Sequence, residues 1–161
     1  MTLVLPDIAE WIARLDGLAD LDRVGGSLDL YQDLADPQFN PGRGAAYPLY
    51  HSDKARANET MGGIGAWCQE SVEMVAVVFL VPNYPTLDAA HDLVLDYPEH
   101  NRAGDAGLRI ARQAVFNRLL NWRPDGADGP VAFVDGERLS GFDAGLILWQ
   151  DNYSMPYRLA K

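Results

Sequence analysis

At 161 residues, 48% of them apolar and 22% charged, the chain has the composition of one ordinary folded domain, long enough to bury a core without a metal or disulfide staple. Lysines and arginines number 13 against 23 aspartates and glutamates, and a net charge of −10 argues against phosphate-reading nucleic-acid recognition and against anionic membrane surfaces. The longest apolar run, Met74–Pro82, falls well short of the roughly 20 residues that span a bilayer. Met1–Pro6 lacks the basic flank and cleavage site of a signal peptide, and the lone cysteine, Cys68, cannot form an internal disulfide. A cytosolic folding environment is expected.

Ile8, Trp11, Ile12 and Leu15 recur at helical spacing, which predicts a first helix over Asp7–Leu18 behind Pro6 and ended by Gly17 and Asp20. A short strand is expected over Arg23–Leu28, then two helical turns over Asp29–Ala35, then a loop rich in Pro, Asn and Gly from Asp36 to Gly44. Ala45–His51 reads as a strand that Pro48 confines to an edge or an end of the sheet. Ser52–Gly65 has no apolar period and reads as an exposed hairpin connection.

Ala66–Val81 is the clearest strand, some 50 Å long if unbroken at about 3.3 Å per residue. Its first half alternates, with Gln69, Ser71 and Glu73 opposite Cys68, Val72 and Met74; its second half, Val75–Val81, is apolar on both faces and belongs at the sheet centre. Asn83–Arg102 is a long connection with room for a helix over Leu87–Leu95. The main helix is expected over Ala103–Trp122, with Leu108, Ala111, Val115, Leu119 and Trp122 as its apolar stripe and Pro124 and Gly126 beyond its end. Three β segments close the chain: Val131–Val134, Ala144–Trp149 and Asn152–Leu159. In the last, Tyr153, Met155, Tyr157 and Leu159 share one face. The pattern is a single α+β domain over residues 1–161, with a mainly antiparallel sheet and helices packed on one face.

Residue types that could carry chemistry are present without the spacing that chemistry needs. His51-Ser52-Asp53-Lys54 gathers a base, a hydroxyl, a carboxylate and an amine, but strand neighbours point to opposite faces and no strained G-x-S-x-G elbow holds the serine, so a polar strand end is the better reading. His91-Asp92 and Glu99-His100 lack the spacing of a metal site, and Gly62-Gly63-Ile64-Gly65 precedes a strand and opens no helix that could hold phosphate. Cys68 has no basic neighbour and reads as a small core residue. Asp16, Asp20, Asp22, Asp29, Asp33 and Asp36 form the densest acidic group and read as a solvated face. No catalytic, cofactor-binding or metal-binding residue is assigned, and no cofactor is expected.

Leu120-Asn121-Trp122-Arg123-Pro124, Gly129-Pro130-Val131-Ala132-Phe133-Val134-Asp135-Gly136 and Gly141-Phe142-Asp143-Ala144-Gly145, in that order behind a helix, resemble the tail terminator proteins of long-tailed bacteriophages and related prophages. The N-terminal half agrees through Val24-Gly25-Gly26-Ser27-Leu28-Asp29-Leu30, the strand around Tyr47-Pro48 and the apolar strand ending in Val81-Pro82-Asn83. The resemblance implies a structural virion protein without catalytic residues. It implies a hexameric ring at the head-proximal end of the tail tube that stops tube elongation and joins tail to head. The partners so implied are further copies of the chain, the tail tube protein and a head–tail connector or neck protein, with DNA passing only through the ring lumen and no membrane. A net negative subunit suits such a lumen, because attraction would retard the DNA.

On that reading the polar half of the long strand, the hairpin connection and the aromatic residues are the candidate interface: Trp67, Gln69, Ser71, Glu73, Lys54, Arg56, Asn58 and Tyr153. Alternatives from other classes are another neck or tail-completion protein, a small cytosolic hydrolase built on His51 and Asp53 or His91 and Asp92, and a domain that binds peptides by strand addition at Ala45–His51.

Overall fold

The computed structural model describes residues 5–55, 59–60, 67–82, 104–139 and 145–160. In chain order they form α1 (Ile8–Leu15), β1 (Arg23–Val24), α2 (Ser27–Ala35), β2 (Ala45–Ala55), β3 (Glu59–Thr60), β4 (Trp67–Pro82), α3 (Gly104–Leu119), β5 (Ala132–Arg138) and β6 (Leu146–Ala160). The strands make one six-stranded sheet in the order β1-β2-β4-β6-β5, with β3 also paired to β4. β1 runs parallel to β2 and the other pairs are antiparallel, so the α+β class expected from sequence is realised with a mixed sheet.

β4 is the centre because its sequence leaves it no other place. Val75, Ala76, Val77, Val78, Phe79, Leu80 and Val81 are all buried, so both faces of the strand need cover and both edges need a neighbour. β2 pairs along one edge from Ala45–Leu80 to Ala55–Ser71, and β6 along the other from Pro82–Leu146 to Cys68–Ala160. On one face Val75, Val77, Phe79 and Val81 pack with Ala46, Ile147, Tyr153 and Met155 beneath Trp11 and Leu15 of α1 and Leu108, Ala111, Val115 and Leu119 of α3. The expected apolar stripe of α3 is its buried face. On the opposite face a smaller cluster of Ala45, Tyr47, Val78, Leu80 and Leu148 meets Leu30 of α2. Helices α1 and α3 share a face and α2 takes the other.

Local chemistry sets the element ends. Asp7 caps α1 by accepting the Ala9 N–H at 3.0 Å, and the helix stops at Leu15 because Gly17 turns to φ +79°. α2 begins at Ser27, two residues before the expected start, because Asp29 serves from inside the helix: its carboxylate reaches back to the Gly26 N–H at 2.8 Å. A Cβ on Gly25 would lie 2.7 Å from that of Asp29, so this approach requires glycine. Correspondingly, the strand expected over Arg23–Leu28 contracts to Arg23–Val24. α3 ends at Leu119, three residues before the expected Trp122, where Asn121 adopts φ +62°.

Two strands run further than their apolar patterns. β2 passes through a bulge between Tyr50 and Ser52 and continues to Ala55, so Ser52–Ala55 is strand and not the start of a loop. Pro48, with no N–H to donate, falls where β2 has no outer neighbour among the described residues, since β1 pairs only with Ala45 and Ala46. The two final segments expected from sequence are one strand, β6, because the interrupting Asp151 is buried and paired. The expected Leu87–Leu95 helix lies outside the described residues, as do the glycines at 62, 63 and 65.

Truncating Phe79, which is fully buried where α1 and α3 close on the sheet, is expected to cost about 3–5 kcal/mol in urea denaturation, whereas Leu28→Ala on the exposed side of α2 is expected to stay within about 0.5 kcal/mol.

Candidate functional site

The polar half of β4 is oriented opposite to the sequence expectation. Ser71 and Glu73 share the helix-covered face with Val75 and are buried, while Val72 and Met74, on the other face, are half-exposed. Glu73 is fully enclosed, and a carboxylate is tolerated there because two hydroxyls meet it: Ser71 Oγ donates at 2.6 Å and Tyr50 OH at 3.1 Å. Tyr153 is likewise internal, edge-on to Trp11 and Phe133. The side chains of Ser71, Glu73 and Tyr153 are therefore engaged inside the subunit and offer no surface, which corrects their expected exposure. Lys54 is exposed on β2. Trp67 and Gln69 stand on β4 opposite Thr60 and Leu159. Arg56 and Asn58 lie outside the described residues.

A cluster that sequence reasoning missed ties α3 to the sheet. Asp151, almost wholly buried on β6, accepts from Arg112 Nε at 2.9 Å and Nη2 at 2.8 Å and from Trp149 Nε1 at 2.8 Å. The guanidinium also lies over the Trp149 ring, 4.5 Å from its centroid. Gly136 of β5 sits directly opposite Asp151, and a Cβ there would run into the carboxylate. Beside this pair a recess of about 260 Å³ opens between α3 and β5, lined by Arg109, Arg112, Gln113, Phe116, Phe133 and Asp151. The legible signal was Asp151 itself, a charge in the same strand phase as Ile147, Tyr153 and Met155.

A second network secures α2. Asp33 accepts from Arg23 Nε at 2.5 Å and from Tyr47 OH at 2.6 Å, which joins α2 to β1 and β2. Burial pushes the Tyr47 phenol well above its usual range, and the Asp33 carboxylate adds to that rise. Asp22 accepts the Arg43 N–H at 2.8 Å. The aspartates read as a solvated face thus include the structural anchors Asp22, Asp29 and Asp33.

With those side chains turned inward, exposed apolar side chains among the described residues include, besides Leu5, Tyr50 and Leu120, a group at each of two opposite edges of the sheet. On α2, at the β1–β2 edge, Leu28, Tyr31 and Leu34 are exposed, Tyr31 by 73%. At the other edge Phe133 and Val134 of β5 are exposed, and Val134, 47% exposed, occupies the bulge between Phe133 and Asp135.

The bulge in β2 brings His51 Nδ1 to 3.0 Å from Ser52 Oγ, but both stand on an open strand, and no third group bonds the imidazole among the described residues. His91, Asp92, Glu99 and His100 lie outside the described residues. Among the described residues no three His, Cys, Asp or Glu side chains gather as metal ligands, and no helix is long and apolar enough to cross a membrane.

Removing the partner of the buried carboxylate is the severe change: Arg112→Ala should destabilise the subunit by about 3–5 kcal/mol in chemical denaturation, since it leaves the Asp151 charge buried and unpaired, while Asp151→Ala should cost less because the Arg112 guanidinium reaches solvent. Alkaline pH should act through buried phenols. Burial, with the Glu10 and Glu73 charges adding, pushes Tyr157 up to about 12 from an unfolded value of about 10. Between those values the unfolded chain releases a proton that the native state keeps, so stability is complete below pH ~10 and falls by about 1.4 kcal/mol per pH unit for each such phenol as pH rises toward 12. Tyr157 OH has no hydrogen-bond partner among the described residues. Tyr157→Phe is therefore expected to match or exceed wild-type stability at neutral pH and to flatten that alkaline fall, as read by denaturation at pH 8 and pH 11.

In sequence, no curated protein matches the chain. The profile of the phage tail terminator protein family matches residues 1–161, the whole of it. A match over the whole length of the chain means that it belongs to the phage tail terminator protein family.

Proposed function

We propose that this protein closes the head-proximal end of a phage tail tube as a ring, ends tube elongation and provides the surface on which the head is joined. The observation that carries the reading is the family match over the entire chain, which makes the protein a structural component of the phage tail. The surface supports it. A subunit that leaves Tyr31 and Val134 exposed at opposite sheet edges has the two unlike faces that a cyclic assembly needs, because ring contacts are heterologous. The partners on this reading are further copies of the chain, the tail tube protein below and a connector or neck protein above.

The net charge of −10 fits the same role, since DNA passing through the lumen of an acidic ring is not held by it. Assembly takes place in the host cytoplasm and the protein ends in the virion. The test is tube length. Tail tube subunits polymerised with a measure template in the presence of the protein should give tubes of one length by electron microscopy, and its omission should give overlong tubes. An unchanged length distribution would contradict the reading.

A further inference from the structure

We propose that neighbouring subunits join head to tail, the exposed stripe of α2 on one copy seating against the β5 edge of the next. This rests on the ring reading above and deepens it by naming the surfaces and their partner, a second copy of this chain. α2 carries no buried residue; it is held to the sheet by Leu30 and by the Arg23–Asp33–Tyr47 network, so Leu28, Tyr31 and Leu34 are left facing outward. Three such residues at i, i+3 and i+6 form one stripe, with an exposed tyrosine, an over-represented interface residue, in its middle.

The other edge differs in shape and in charge. β5 ends the sheet three strands from β2, roughly 15 Å away at about 4.8 Å per strand, so one subunit cannot satisfy both patches itself. The recess there has an aromatic floor of Phe116 and Phe133, whose centroids are 6.0 Å apart, and Arg109 at its rim has no ion pair among the described residues. α2 and its C-cap carry Asp29, Asp33 and Asp36 and no basic residue. Among the described residues Arg23 is the one cation that pairs into that acidic group, with Asp29 and Asp33. An α2 stripe meeting another α2 stripe would set acid against acid, whereas at the β5 edge the exposed Asp135 and Glu137 are balanced by Arg138 and the neighbouring Arg109. Val134 stands out of the strand at the bulge, where it breaks the edge ladder, so the contact is one of side chains and not of added β pairing.

The test is complementation between two variants, Tyr31→Asp and Val134→Asp, chosen because both side chains are exposed and folding should be unaffected, as thermal melting would verify. Leu28→Asp and Arg109→Glu form a second pair if either variant melts early. Light scattering across concentration, with and without tail tubes, reads the outcome. Each variant alone should need about tenfold or more protein to assemble, while the equimolar mixture, which restores one good contact per pair, should give a one-to-one dimer and nothing larger. Rings from either variant alone at wild-type concentration, or a mixture still monomeric where the wild type is fully assembled, would overturn the proposal and leave the ring reading intact. A wild-type protein that assembles under no condition, tubes included, would overturn the ring reading and this contact with it.

Discussion

The fold depends on covering both faces of one strand. Between Val75 and Val81 β4 has no polar side chain, so it cannot lie at a surface, and each neighbour is placed by that requirement. Antiparallel partners take its two edges, α1 and α3 cover one face, and α2 with Tyr47 and Leu148 covers part of the other. A sheet arranged in this way still ends at two unlike edges. One bears a short helix and a two-residue parallel strand, the other a bulged antiparallel strand, and the asymmetry suits a subunit with two different neighbours.

Charge inside this core is used for position. Asp151 with Arg112, Glu73 with Ser71 and Tyr50, and Asp33 with Arg23 and Tyr47 each hold one element against another in a fixed orientation. Each carboxylate is met by directed donors, which is the condition for keeping it out of water at tolerable cost. The Arg112–Asp151 pair fixes α3 over β6 and thereby shapes the recess against β5; the Asp33 network fixes α2. The internal polar contacts and the outer patches are two sides of the same elements.

Much of this was legible in the sequence. The α3 stripe, the buried centre of β4, the shared face of Tyr153, Met155 and Tyr157 and the α+β class all follow from periodicity. What failed was polarity taken as a sign of exposure. Ser71 and Glu73 alternate in phase with Val75, and phase decides the face, so their burial could have been read by extending the pattern of the apolar half through the polar one. Asp151 split β6 in the sequence reading for the same reason. The early start of α2 was hidden because its cap is a carboxylate three residues inside the helix acting on a glycine, and the length of β2 was hidden by a bulge that changes the strand's phase at His51. The exposed stripe on α2 is masked in the sequence because Leu30, one residue from Tyr31, points inward.

The candidate surface shifts accordingly, from the polar half of β4 to the two edges of the sheet, while the role drawn from the resemblance is unchanged. Electron cryomicroscopy of complete virions from the phage that encodes this chain would test that role most directly. A single ring of this fold is expected between the last layer of the tail tube and the neck, with the α2 side of each subunit against the β5 side of the next. Density for the fold along the tube, at the distal tip, or nowhere in the mature tail would contradict it.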